Sequence, residues 1–229
     1  MIAALIWDVD GTLSETEETH RAAFNSAFAD TGLDWTWDRA LYRRLLHVTG
    51  GKERVRAYAT EAGVALTDQQ IAEIHKVKTA HYESLVASGQ VSLRPGVADL
   101  IAAARDAGLR QAIATTTSRP NVDALIAATL GKPADEIFDV IAAGDEVAAK
   151  KPAPDVYLLA LKRLEMQPVQ CLALEDSMPG MAAARAAGLP VLVTPSAYTD
   201  DGDFSGADWI CADLTGALPP PLARILAVA

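Results

Sequence analysis

The sequence predicts an α/β fold, a doubly wound parallel sheet core with an all-helical cap inserted into it. Three observations predict it. A short apolar run, Leu5-Ile6-Trp7, stops abruptly at two carboxylates, Asp8 and Asp10. From Ser14 to about Ser88 the apolar spacing is helical and no convincing strand interrupts it. After Arg94-Pro95-Gly96 strand-like and helix-like patterns alternate, which implies a parallel sheet with right-handed crossovers.

The elements follow in order. Residues 2–7 form a short apolar run of the kind a buried parallel strand requires. Ser14 precedes Glu17 by three, a capping-box spacing that starts a helix. Phe24 and Phe28 stack one turn apart on it. Further helices span 40–48, 52–62 and 68–88, separated by Gly50-Gly51 and Gly63. Then come a helix near 97–107, a strand at 111–115 and a helix at 120–130 with Pro120 in its first turn. A strand at 140–143, a helix at 154–164, a strand at 171–174, a helix at 179–187 and a strand at 191–193 complete the series. The expected division is a discontinuous core of residues 1–14 and 92–229 around a cap of residues 15–91. The chain carries no repeats and no low-complexity tract.

Composition limits the function. The chain has 229 residues, half of them hydrophobic, and a net charge of −10. That charge repels nucleic-acid phosphates. An anionic small substrate would need a local island of positive charge. Cys171 and Cys211 stand far apart beside apolar residues and fit reduced core cysteines. No basic region precedes the first apolar residues, so no signal peptide is expected, and no apolar run has the length of a membrane span. The expectation is a cytoplasmic monomer acting on a small molecule, with no nucleic-acid or membrane partner.

Chemistry-bearing residues gather at the strand ends. In a parallel sheet the C-terminal ends of the strands share the edge where ligands bind. Asp8 and Asp10 follow the first strand, Thr115 and Thr116 the second, Lys150-Lys151 the third and Glu175-Asp176 the fourth. Asp8, Glu175 and Asp176 brought together would raise one another's pKa. A hard divalent cation such as Mg²⁺ relieves this. A carboxylate can attack phosphorus, a second acid can protonate the leaving oxygen, and Lys, Thr hydroxyl and metal can stabilise the transferring charge. Taken singly, each segment also reads as an ordinary turn, cap or solvated pair.

The combination Asp8-Val9-Asp10-Gly11-Thr12, Thr115, Lys151 and Glu175-Asp176 resembles the four motifs of the haloacid dehalogenase superfamily. The resemblance implies a Rossmann-like core, Asp8 as nucleophile, Asp10 as general acid and base, and Thr115, Thr116 and Lys151 on the phosphate. It implies Mg²⁺ held by Asp8, the Asp10 carbonyl, Glu175 and Asp176. Lys151 is preferred to Lys150 because the family's lysine stands before Pro. Trp7 occupies a position where the family usually has Phe. The helical insert is similar to the cap class that includes β-phosphoglucomutase and phosphoglycolate phosphatase. Within that class, Glu15 to His20, Thr49 to Arg54 and Ala114 to Ser118 most resemble the CbbY proteins, phosphatases linked to the Calvin cycle that act on the Rubisco inhibitor xylulose 1,5-bisphosphate.

The cap residues also stand on their own chemistry. Gly50-Gly51 before a helix start leaves backbone N–H groups free for an anion, and Lys52, Arg54 and Arg56 add positive charge. Substrate-binding candidates are Gly51, Lys52 and Arg54, and the match to the family's cap-entry positions implies Glu17 and His20 as contacts to sugar hydroxyls. Arg119 beside the phosphate loop is a further source of charge. His47, His75 and His81 have no matching ligand set and are assigned no metal. The expected activity is a Mg²⁺-dependent sugar-phosphate phosphatase working through an aspartyl-phosphate. The alternatives are a β-phosphoglucomutase-like phosphomutase, a phosphoglycolate phosphatase and a phospho-accepting signalling module, the last being half the length and lacking the insert.

Overall fold

The computed structural model describes residues 2–227. Its sheet contains β1 (Ala4–Trp7), β2 (Arg110–Ala114), β3 (Val140–Ala142), β4 (Cys171–Glu175), β5 (Val191–Val193) and β6 (Trp209–Ile210). All neighbours pair parallel, in the order β3-β2-β1-β4-β5-β6. The α/β architecture is the one the sequence predicts.

Parallel strands are covered on both faces and so read as continuous apolar runs. β1 is buried along its whole length. Successive side chains point to opposite faces. Leu5 and Trp7 join one apolar cluster with α5 (Val97–Asp106), α6 (Arg119–Leu130) and α10 (Pro220–Leu226). Ala4 and Ile6 join the other with α8 (Asp155–Leu164) and α9 (Met178–Ala186). Trp7 fits because its indole Nε1 donates to Gln111 Oε1 on β2 at 3.2 Å.

Strand register sets where the chemistry emerges. Trp7 stands opposite Ile113 on β2 and Leu174 on β4. Asp8, Thr115 and Glu175-Asp176 therefore leave the sheet at one edge. The strand order runs out from β1 through β2 to β3, then crosses to β4, so the crevice between β1 and β4 is the topological switch point where ligands of such sheets bind.

Between β1 and α5 the chain forms α1 (Glu17–Asp30), α2 (Arg39–Leu45), α3 (Gly51–Glu61) and α4 (Asp68–Ala87). α1 lies along α4, and α3 packs against α4. Their interior is an apolar cluster of its own, with Phe24, Phe28, Trp37, Tyr42, Ile71 and Ile74. Phe24 and Phe28 do stack, 5.9 Å between centroids. At the foot of the insert Ala23, Tyr82 and Val86 join the sheet-side cluster, which seats these helices on the core.

Helix starts show what the sequence pattern overlooks. α1 begins at Glu17 rather than Ser14, with Thr16 as its N-cap and no side-chain cap bond. The Thr16 hydroxyl donates to Asp10 Oδ1 at 2.5 Å instead, because an ionised acceptor is the stronger partner. Ser14 Oγ is buried without a partner. A true capping box sits at Thr67 and Gln70, starting α4. Unforeseen elements are short: α7 (Ala134–Ile137), β6 and α10. No helix among the described residues is long and apolar enough to cross a membrane.

Candidate active site

A cavity of about 460 Å³ opens where the helical insert faces the C-terminal edge of the sheet. From the core, Asp8, Asp10, Thr115, Thr116, Lys151 and Asp176 line it. From the insert, Glu17, His20, Gly51 and Arg54 do the same. Glu175 is fully buried behind them.

The acids at the switch point are held by one ammonium group. Lys151 Nζ donates to Asp8 Oδ1 and to Glu175 Oε1, each at 2.6 Å. Tyr157 on α8 donates its hydroxyl to the same Glu175 Oε1 at 2.6 Å. Lys150 turns away and donates to the carbonyls of Gly144 and Val147 at 2.6 and 2.9 Å. Between the two neighbouring lysines, Lys151 is the one facing the site.

Asp8, Glu175 and Asp176 are all buried, with ligand oxygens within 4.8 Å of one another. Burial pushes the Asp8 carboxyl up to about 8, with Glu175 and Asp10 adding to the rise and Lys151 opposing it. Burial, then the charges of Asp8 and Glu175, holds Asp176 well above the usual carboxylate range. Burial works against the Lys151 charge, yet Asp8 and Glu175 overcome it and keep the ammonium more firmly protonated than usual. Three crowded carboxylates facing one cation are an electrostatic fit for a divalent metal.

Two glycines make room for this crowding. Gly11 has φ +85, and a Cβ there would run into the Asp176 carboxylate. A Cβ on Gly180, in α9, would meet the Glu175 carboxylate. Thr199 completes the frame, donating to the Asp176 carbonyl at 2.7 Å.

Asp10 is held by a different set of groups. Its Oδ1 accepts from Thr16 at 2.5 Å and bonds His20 Nε2 at 2.8 Å. His20 Nδ1 meets Lys78 Nζ at 2.6 Å, and the imidazole stacks on Tyr82 with centroids 4.2 Å apart. In its charged form Lys78 can only donate, which leaves the His20 proton on Nε2, aimed at Asp10. Burial alone would raise the Asp10 carboxyl, but His20, Thr16 and the Lys78 charge hold it well below its usual value. With both ring nitrogens engaged, His20 positions Asp10 instead of presenting a free nitrogen to a sugar hydroxyl.

The loop after β2 has its own order. Thr115 Oγ1 accepts from the Thr117 backbone N–H at 3.2 Å, so its own proton is free to point elsewhere. Thr117 Oγ1 in turn accepts from Asn121 Nδ2 at 2.9 Å. Arg119 does not join this loop. It pairs with Asp123 at 2.8 Å and Asp135 at 2.6 Å, correcting its expected contribution of charge.

The cationic side of the cavity also differs from expectation. Arg54 lines it, donating to Tyr42 Oη at 3.0 Å, and Tyr42 donates to Glu17 Oε2 at 2.7 Å. Lys52 lies outside the lining and faces Asp145 at 3.5 Å, while Arg56 pairs with Asp68 at 2.5 Å. Arg43 and Arg44 also line the cavity, but Arg43 pairs with Asp200 and Asp201 and Arg44 with Glu61 at 2.6 Å, so the positive charge on the insert side rests on Arg54 and Lys78. Sequence reasoning passed over Lys78, though it stands on the buried stripe Ile71, Ile74, Lys78, Tyr82 of α4. A lysine on an apolar stripe was the available signal. Besides Asp8, Glu175 and Asp176, no acid, His or Cys cluster of metal-ligand geometry occurs among the described residues.

Comparisons with known proteins agree with this geometry. Haloacid dehalogenase-like hydrolases match residues 2–188. The chain is similar to Protein CbbY of Rhodobacter capsulatus, 61% identical over 216 residues, covering 94% of this chain and 95% of that protein. It is also similar to the crystal structure of CbbY from Rhodobacter sphaeroides in complex with phosphate, with TM-score 0.91, 54% identity and coverage of 93% and 95%. A mutant of that CbbY, in complex with xylulose-(1,5)bisphosphate, gives TM-score 0.91 at 53% identity, again covering 93% of this chain and 95% of the other.

Proposed function

The chain belongs to the haloacid dehalogenase-like hydrolases, and from that premise we propose that this phosphatase hydrolyses a pentulose bisphosphate, xylulose 1,5-bisphosphate, through an aspartyl-phosphate. The observation that carries the reading is the contact chain Asp8–Lys151–Glu175 beside Asp176 at the β1/β4 crevice. It brings a nucleophile, a phosphate-holding cation and metal-ligating acids to one point.

Each residue has a part. Asp8 attacks phosphorus, the bond from phosphorus to the sugar oxygen breaks, and the sugar alkoxide leaves with a proton from Asp10. The charge of the bound phosphoryl group brings Asp10 to its protonated form against the pull of His20 and Lys78. Asp10 then takes a proton from water as that water attacks the acyl phosphate, releasing inorganic phosphate and restoring Asp8. Thr16 and His20 hold Asp10 in place for both transfers. Lys151, Thr115 and Thr116 hold the oxygens of the transferring group. Asp8, the Asp10 carbonyl, Glu175 and Asp176 would hold Mg²⁺, which neutralises phosphoryl charge when bound.

Residues 15–91 act as the cap of this reading. A cavity of about 460 Å³ suits a small sugar phosphate, and Arg54 and Gly51 meet a second phosphate from the insert side. Closure of these helices excludes bulk water and completes the substrate contacts. Two free thiols, Cys171 and Cys211, suit a reducing, cytoplasmic setting.

A phosphate-release screen over sugar mono- and bisphosphates with Mg²⁺ tests the reading. The expected outcome is highest kcat/KM for xylulose 1,5-bisphosphate, with one equivalent of phosphate per turnover. Isomer formation from β-glucose 1-phosphate without phosphate release would replace hydrolysis by mutase chemistry.

A further inference from the structure

Tyr157 enters none of the steps above, yet it is fully buried against two of the groups that perform them. It occupies the first turn of α8, six residues beyond Lys151. Its hydroxyl donates to Glu175 Oε1 at 2.6 Å. Its ring centroid lies 5.1 Å from Lys151 Nζ, and that ammonium donates to the same Oε1. Most buried tyrosines pack their ring and satisfy the hydroxyl on any available acceptor. Here the acceptor is a carboxylate of the acid cluster and the ring is a cation–π partner of the site's lysine.

The two donors on Oε1 have different duties. Lys151 must share its three N–H donors among Asp8, Glu175 and the oxygens of the transferring group. Glu175 is fully buried, so no solvent molecule replaces a donor that turns away, and an unpaired charged acceptor is costly. The tyrosine hydroxyl stays on Oε1 whichever way the lysine turns. With the Asp176 N–H, which donates to Oε2 at 3.3 Å, it also fixes the plane of the carboxylate. Gly180 leaves the space that this orientation needs.

We propose that Tyr157 is a positioning residue: through its hydroxyl on Glu175 and its ring against Lys151, it sets the metal-facing carboxylate and frees the lysine for the phosphoryl group. The proposal rests on the phosphatase reading above.

The test compares the full chain with Tyr157→Phe, which keeps the ring, and Tyr157→Leu, which removes it. Mg²⁺ binding is measured calorimetrically without substrate, alongside kcat, KM and thermal midpoint. Tyr157→Phe should weaken Mg²⁺ binding roughly tenfold, as loss of a partner to a ligating carboxylate does. It should lower kcat by a similar factor with KM within twofold, and Tyr157→Leu should lose more kcat. Mg²⁺ affinity and kcat of Tyr157→Phe within twofold of wild type overturn the proposal, whatever the thermal midpoint does.

Should Tyr157→Phe fail to fold, a single 3-fluorotyrosine at position 157 carries the test. Its ¹⁹F resonance must move when Mg²⁺ is added to the substrate-free protein, and an unmoved resonance overturns the role. Wild-type chain without Mg²⁺-dependent phosphate release removes the phosphatase reading and this role together. An active wild type with an unaffected Phe variant removes the Tyr157 role alone.

Discussion

Lys151 Nζ lies 2.6 Å from Asp8 Oδ1, joining residues 143 positions apart in the chain. The contact favours the ionised, nucleophilic form of Asp8 and opposes the burial that, on balance, still leaves this carboxyl raised to about 8. The adjacent Lys150 spends its donors on the Gly144 and Val147 carbonyls. Lys151→Ala should therefore abolish phosphate release and cost roughly 3–5 kcal/mol of stability, because it leaves buried carboxylates without their counter-charge. Lys150→Ala should keep kcat within a few-fold and lower the thermal midpoint by a few degrees. Equal loss of turnover in both variants would contradict the separation.

Asp8→Asn tests the nucleophile itself. The amide is nearly isosteric and removes one charge from a crowded, buried cluster. Turnover should fall at least roughly a thousandfold, as loss of a nucleophile does, while the circular dichroism spectrum stays that of wild type. The thermal midpoint should hold or rise, since the carboxylate is the form that burial disfavours. Turnover near wild type with Mg²⁺ present would remove Asp8 from the mechanism.

Gly180→Ala should behave unlike an ordinary helix substitution. Alanine in place of a helical glycine usually stabilises by about 0.5–1 kcal/mol. Here the new Cβ would meet the Glu175 carboxylate on the face of α9 that covers β4. The expected result is a lower thermal midpoint together with a several-fold rise in the Mg²⁺ concentration for half-maximal activity. A raised midpoint with unchanged Mg²⁺ dependence would show that Glu175 moves freely.

Three of the four core motifs were legible because each sits at the end of an apolar run whose direction the sheet fixes, whereas Lys151 stands nine residues after β3 and was legible by its place before Pro152. Asp8, Thr115 and Glu175 needed only the assumption of parallel strands to share one edge. The insert was legible as helices but not as a binding surface. Lys52 and Arg54 are two residues apart on α3, and a helix turns them to different sides, so one meets Asp145 and the other the cavity. Lys78 reaches His20 across 58 residues, from a helix whose pairing with α1 no local pattern encodes. The helix starts at Glu17 with Thr16 as its N-cap, not at the Ser14 that the spacing suggested, and the Thr16 hydroxyl chose Asp10 over its own helix. β6 has only two residues and α7 one turn, too short for either period to show.

Lys78 gives the molecule a stability cost that pH can read. Burial first, then the Arg54 charge, lowers its pKa from 10.5 to about 7, while Asp10 and Glu17 pull it back. Below about 7 both folded and unfolded chains carry the proton, so this group adds no slope. Between about 7 and 10.5 the unfolded chain keeps a proton that the folded chain has released. The unfolded state then binds more protons, and stability rises with pH across that window. Lys78→Met removes the cost, so the variant should be more stable than wild type at pH 7. The gap should be on the order of a few kcal/mol and shrink towards about pH 9. The phenols of Tyr42 and Tyr82, raised by burial, destabilise both proteins alike at higher pH, so the difference between the two curves of thermal midpoint against pH is the measure. The same substitution should lower kcat several-fold, because His20 loses the partner that keeps its proton on the Asp10 side. A variant that is less stable at pH 7, with a curve parallel to wild type, would show that the folded chain holds this lysine charged at no cost.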